Sequence, residues 1–220
     1  AATLGAFALL PHDSVDYWFG ALLEGGDRTG AVNGTTNQAI NGMISRIYLP
    51  DPLGSLLWLL LAAIMAYVGF RMARRTTLIA DDIWPDRPVD AYTLRLAAVA
   101  IVGLLSVLLS PVGWIHHLVW MVPVLGALIG DARETPRKWI AAVTWVYFLF
   151  PLPWWGAKLL SLEQGLLTKI PGKIVQDAYG LAAVTMVFLL GIWLTRRLTE
   201  RAIIRADAPR REAEVDTLAL

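Results

Sequence analysis

Cysteine is absent from the 220 residues, and with it go disulfides, thiolate chemistry and cysteine-based metal sites. Histidine is scarce: there are three, and two of them are the adjacent His116 and His117. Neighbouring histidines in a turn do not both reach one metal easily, and no paired carboxylate accompanies them, so no metal site is expected. The sequence also lacks a Gly-rich phosphate-cradling loop, a heptad seam and an internal repeat. No cofactor and no nucleic-acid partner are expected. Charge is missing from the eighteen residues from Leu53 to Phe70.

What is present sets the solvent. Hydrophobic residues make up 56% of the chain, mean hydropathy is +0.54 and there are ten tryptophans, which is the composition of a membrane protein. The predicted fold is all-α, a polytopic transmembrane helix bundle. Leu53 to Phe70 is the clearest span, followed directly by Arg71, Arg74 and Arg75, where the helix is expected to end. Four further spans are read at 96–109, 114–129, 139–155 and 178–194; some are short for a crossing unless flanking Trp and Arg extend them. Ala1 to Leu10 is apolar but too short to cross about 30 Å of hydrocarbon. It reads as the end of a truncated helix, with a signal peptide as the rival reading, although no basic region precedes it.

Orientation follows from lysine and arginine, which are retained on the cytoplasmic side. Placing 71–95, 133–138 and 196–211 there collects 14 of the 19 basic residues. The other side keeps Arg28, Arg46, Lys158, Lys169 and Lys173. This puts the loop 11–52, the turn 110–117 and the connection 153–177 together on the extracytoplasmic face of a multi-pass cell-membrane protein. The connection 81–90 reads as a solvated loop, and the tail 196–220 as cytoplasmic and partly disordered.

Two constellations carry the chemistry. The turn runs Ser110-Pro111-Val112-Gly113-Trp114-Ile115-His116-His117 between two apolar runs. Ionisable residues at a membrane edge point to function, but histidines that merely cap a tight turn would look the same. The outer loop contains Asp16-Tyr17-Trp18, Arg28-Thr29-Gly30, Asn37-Gln38 with Asn41 and Gly42, and Arg46. Gln38 to Tyr48 carries Ile40, Met43, Ile44 and Ile47 on one stripe, as a short amphipathic helix on the membrane surface would. Asn37, Gln38 and Asn41 near its start are placed to cap it or to hydrogen-bond sugar hydroxyls. Arg46 is placed to pair with Asp51 or to hold a phosphate through its planar fork. Trp114, Trp120, Trp154 and Trp155 cluster near the same interface, as an aromatic belt or as stacking surfaces for a sugar ring. Pro151 and Pro153 are expected to bend or end the fourth span.

The combination of Tyr17-Trp18, Arg28-Thr29-Gly30, Asn37-Gln38 with Gly42 and Arg46, then Ser110-Pro111 with Trp114 and His116-His117, resembles the actinobacterial polyprenyl-phosphate-mannose-dependent alpha-1,2-mannosyltransferases. The resemblance covers roughly the C-terminal half of such a protein. It implies a C-superfamily membrane glycosyltransferase with a polyprenyl phosphate mannose donor and a mannolipid or lipoglycan acceptor. The family's catalytic carboxylate is expected in the first extracytoplasmic loop, read here as lying before Ala1. Asp13 and Asp16 fall in a later loop and do not inherit that role. The expected substrate-binding residues are His116, His117, Asn37, Gln38, Arg46 and Trp114, with the histidines contacting the donor phosphate or orienting the acceptor. A lipid-linked sugar transporter or a non-catalytic scaffold is the alternative; transport favours polar or broken helices at the midplane and repeated halves, and no such repeat occurs.

Overall fold

The computed structural model describes residues 2–21, 31–162 and 165–200. Arg28-Thr29-Gly30 and most of the charged tail therefore lie outside the described residues. Among the described residues all elements are helical, and the two segments that pair in extended conformation do so as an isolated bridge.

The chain opens with α1 (Ala2–Leu9) and α2 (Pro11–Val15), then a π-helical turn (Asp16–Ala21). The loop contributes α3 (Ile40–Ser45), shorter than the expected surface helix, whose Ile40 and Ile44 face the protein core rather than a membrane surface, while Ile47 lies beyond the helix and is exposed. Helix α4 (Asp51–Ile83) begins with Asp51 and Pro52 in its first turn, an acid where the helix dipole favours negative charge and a proline where no N–H is needed. It does not stop at Arg71. The arginines are good helix formers, no glycine or proline intervenes before Pro85, and Ala73, Thr76, Ala80 and Ile83 bury one continuous stripe beyond them. At 33 residues the helix overshoots the hydrocarbon.

Helix α5 (Pro88–Leu108) returns antiparallel to α4 and forms the centre of the bundle. Leu94, Ile101, Leu104, Leu105 and Leu108 are each fully buried. After the turn come a 3-10 segment (Ile115–Trp120), α6 (Met121–Ile129), α7 (Thr135–Leu149), α8 (Leu152–Leu160), α9 (Leu166–Gln176) and α10 (Ala178–Phe188), which continues through a π-helical turn (Leu189–Leu194) to Glu200. Among the described residues, three helices are long and apolar enough to cross a membrane, Asp51–Ile83, Pro88–Leu108 and Ala178–Glu200. The pair α7 and α8, bent by 50°, makes a fourth if taken as one span. The segment read as a span over 114–129 is shorter than a straight crossing, and its first six residues wind as the tighter helix.

Two departures from regular helix are compensated by side chains, as an apolar surround demands. Between α7 and α8 the prolines at 151 and 153 break the ladder, and Tyr179 Oη donates to the Phe150 carbonyl at 2.7 Å while Tyr147 Oη donates to the Ala178 carbonyl at 3.0 Å. In the π-helical turn Thr195 Oγ1 donates to the Leu190 carbonyl at 3.0 Å and lies 3.0 Å from Thr76 Oγ1 on α4. Helices α8 and α9 approach so closely that a Cβ on Gly156 would collide with the Gln176 backbone nitrogen.

The basic end is tied by charge. Buried Arg137 donates from Nε to the Leu128 carbonyl at 2.9 Å and from Nη2 to the Ala127 carbonyl at 2.8 Å, so it caps α6. Its Nη1 meets Glu134, which also accepts from Arg197 Nε at 2.5 Å. The connection 81–90 is compact rather than loose: Asp81 to Ile83 remain in α4, Arg95 pairs with Asp81 at 2.9 Å, and Arg87 donates to the Leu198 carbonyl at 2.8 Å. Replacing Arg137 with Ala leaves a buried carboxylate and the end of α6 short of a partner. The expected loss is about 3 kcal/mol, read as a lowered midpoint of thermal unfolding in detergent.

Candidate functional site

The outer loop and the histidine turn are one structure. Gln38 donates its backbone N–H to the Gly113 carbonyl at 2.7 Å, and Ile115 donates to the Thr36 carbonyl at 3.0 Å, so Asn37 and Trp114 form an antiparallel bridge. The Asn37 side chain completes the joint. Its Oδ1 accepts from Gly113 N–H at 2.9 Å and from Ala39 N–H at 3.2 Å. Its Nδ2 donates to the Val32 carbonyl at 2.8 Å and to the Pro111 carbonyl at 3.4 Å. Asn41 Nδ2 reaches the same Pro111 carbonyl at 3.2 Å. Gly42 is required here, because a Cβ on it would lie 2.6 Å from the Asn37 Cγ.

Gln38 and Arg46 are committed in the same way. Gln38, fully buried, donates from Nε2 to the carbonyls of Thr35 at 2.7 Å and Gln176 at 3.0 Å, and accepts from Gly180 N–H at 2.9 Å. Gln176 Nε2 donates to Thr35 Oγ1 at 2.8 Å. Arg46 pairs with Asp177, not with Asp51, which stands in the first turn of α4. Its Nε lies 2.7 Å and its Nη2 2.5 Å from Asp177 Oδ1, and Nη1 donates to the Gly34 carbonyl at 2.7 Å. Burial pushes the Asp177 carboxyl above the usual carboxylate range, although Arg46 and Lys173 pull it down. Desolvation therefore outweighs attraction, and the pair fixes geometry more than it adds stability.

With Asn37, Gln38 and Arg46 spent on the protein itself, the exposed members of the predicted set are His116 and His117, beside a half-buried Trp114. The Trp114 N–H donates to His117 Nδ1 at 3.2 Å, and His117 N–H donates to the Trp114 carbonyl at 2.9 Å. An Nδ1 that accepts leaves the proton of the neutral ring on Nε2, so His117 presents a donor outward. The His116 ring stands edge-on to it, with centroids 4.4 Å apart. Tyr17 and Trp18 stack edge to face on the π-helical turn and are exposed. Among the described residues no cluster of His, Asp or Glu fit for a metal occurs. The sequence does not single out Asp177, Gln176, Thr35 or Gly180; for Asp177 and Gln176 the shared face of 153–177 is the signal that they lie near the loop.

Residues 1–111 match the profile of glycosyltransferase family 87. The match takes in the outer loop and ends just before the bridge residue Trp114. Several curated relatives extend further. A polyprenol-phosphate-mannose-dependent alpha-(1-2)-phosphatidylinositol mannoside mannosyltransferase of Mycolicibacterium smegmatis is 37% identical over 65% of this chain and 31% of its own length. The corresponding phosphatidylinositol pentamannoside mannosyltransferase of Mycobacterium tuberculosis is 36% identical over 77% of this chain and 36% of its own. A phosphatidylinositol mannoside mannosyltransferase of Mycobacterium tuberculosis is 28% identical over 94% and 45%. The chain thus spans 31% to 45% of the length of these relatives. No solved structure matches it.

Asn37→Ala removes four hydrogen bonds at a buried joint, and about 3 kcal/mol of stability is expected to go with them. Asn37→Asp keeps the acceptor but aims an oxygen at the Val32 and Pro111 carbonyls, so it is expected to rescue nothing. Thermal unfolding and limited proteolysis of the 31–46 loop read both.

Proposed function

Because the chain belongs to glycosyltransferase family 87, we propose that it forms part of a membrane mannosyltransferase that moves mannose from a polyprenyl phosphate to a phosphatidylinositol mannoside or related lipoglycan, making an alpha-1,2 linkage on the extracytoplasmic face. The observation that supports this reading best is the bridge between Asn37 and Trp114. It fixes an exposed histidine pair against a loop in which Asn37, Gln38 and Arg46 are bonded to the protein itself, leaving the histidines facing outward.

The chemistry follows from the donor. An acceptor hydroxyl oxygen attacks the anomeric carbon of mannose, the bond from that carbon to the phosphate oxygen breaks, and the lipid phosphate leaves with the electron pair. The hydroxyl proton passes to a base, for which none of the residues described above is assigned. Negative charge grows on the departing phosphate, and a donor aimed at it acts more strongly in the transition state than in the ground state. His117 Nε2–H is oriented for that task by its own turn, since the Nδ1 bond to Trp114 fixes both tautomer and ring angle. His116 is the second donor. Trp114 offers an apolar face to a sugar ring or to the lipid. In this reading Asn37, Gln38 and Arg46 act as positioning residues, not as sugar or phosphate contacts.

The test is transfer of labelled mannose from polyprenyl phosphate to phosphatidylinositol mannosides by the intact protein. His117→Ala is expected to lower kcat/KM by about a hundredfold or more, and His116→Ala by less. Normal rates in both variants would remove the histidines from the site.

A further inference from the structure

A second polar feature lies outside the bridge. Beside α9 a cleft of about 630 Å³ is lined by Asn33, Arg46, Tyr48, Lys169, Lys173 and Gln176, among others. Three of its lining side chains are cations, and none of its described lining residues is a carboxylate. Asp177 already matches the Arg46 charge. Lys173 Nζ donates to the Arg46 carbonyl and lies 5.1 Å from the centre of the Tyr48 ring, which leaves two of its three N–H donors uncommitted. Lys169 is exposed, and its side chain has no hydrogen bond or ion pair among the described residues. Tyr48 itself sits at a φ of 59°, a conformation that bulky residues rarely adopt and that marks a locally strained backbone at the edge of the cleft.

The other face of α9 is apolar and bare. Leu166, Leu167, Ile170 and Ile174 are each more than half exposed, while Thr168, Gly172 and Gln176 pack inward. An exposed apolar stripe flanked by lysines is the pattern of a helix lying in the bilayer interface, with the ammonium groups at headgroup level and the stripe among the acyl chains. With one carboxylate, Asp177, facing both Arg46 and Lys173, and Lys169 unpaired among the described residues, the pocket keeps a net positive charge.

We propose that this cleft binds the phosphodiester headgroup of an anionic glycerophospholipid whose tails run along the Leu166–Ile174 stripe. Resting on the transferase reading, that lipid is the mannosyl acceptor. Lys169 and Lys173 hold its phosphate, and Asn33 and Gln176 supply further polar contacts. The Arg46–Asp177 pair fixes the floor, and through Arg46 and Gln176 the lipid site shares its base with the loop that carries the histidine bridge.

The experiment uses the intact protein in detergent micelles at fixed salt, titrated with fluorescent phosphatidylinositol and, separately, fluorescent phosphatidylcholine. The wild type is expected to prefer phosphatidylinositol. Lys169→Gln, an exposed substitution that leaves the fold alone, is expected to weaken that preference several-fold, and Lys169→Gln with Lys173→Gln by about tenfold or more. The Lys169→Arg counterpart keeps it. Unchanged preference in the glutamine variants overturns the proposal, as does full displacement of the labelled lipid by inorganic phosphate in the millimolar range, which would make this a site for the free anion. In transfer assays Lys169→Gln raises the KM of the acceptor and not of the polyprenyl donor; a rise confined to the donor overturns the assignment. Lipid binding is read without any transfer. A wild type that selects phosphatidylinositol but transfers no mannose removes the transferase reading and leaves this site standing. Normal transfer with lipid selection indifferent to both lysines does the reverse.

Discussion

One carboxamide holds the loop end of this bundle together. Asn37 accepts from two backbone N–H groups and donates to two backbone carbonyls, and those four groups belong to the outer loop and to a turn 76 residues further on. No other side chain offers two donors and two acceptors in that compass: aspartate lacks the donors and leucine lacks both. Because the Asn37 side chain is fully buried and each of its donors and acceptors is matched, the joint is specific as well as stable. The histidine turn inherits its position from it, since the bridge residues Asn37 and Trp114 flank the backbone that places His117.

Away from that joint the same demand for satisfied polar groups shapes the helices. At the break, the Phe150 carbonyl accepts from Tyr179, while Tyr147 ties α7 to the start of α10, and the π-helical turn in the last helix is closed by Thr195. Buried charge appears at both ends of the bundle in paired form: Arg46 with Asp177 at one, Arg137 and Arg197 with Glu134 at the other. Such pairs are poor sources of net stability but intolerant of losing one partner. They fix where helices end relative to one another, which is what a site assembled from loops needs.

Much of this is legible in the sequence, for identifiable reasons. The uncharged run from Leu53 to Phe70 announces a span, and the uneven distribution of lysine and arginine brings loop, turn and the 153–177 connection to one face on charge alone. The residues that mislead do so because local pattern competes with tertiary contact. Arg71 looks like a stop, but arginine is a good helix former and a buried small-residue stripe carries α4 on to Ile83. Asn37 and Gln38 look like sugar ligands, yet an amide that satisfies backbone and one that meets a hydroxyl are indistinguishable by residue type. Arg46 sits five positions from Asp51, a spacing that suggests that pair, yet its partner Asp177 lies 131 residues away. No local signal encodes a choice of that kind.

At the centre of this picture Asn37 acts through the histidine turn. A double-mutant cycle on kcat/KM for mannose transfer by the intact protein measures this directly, using Asn37→Ala, His117→Ala and the two combined, in preparations shown to be folded. If the asparagine works by holding the histidine, the double variant is about as impaired as His117→Ala alone. If the two losses multiply, Asn37 and His117 serve the reaction independently, which contradicts a single joined site.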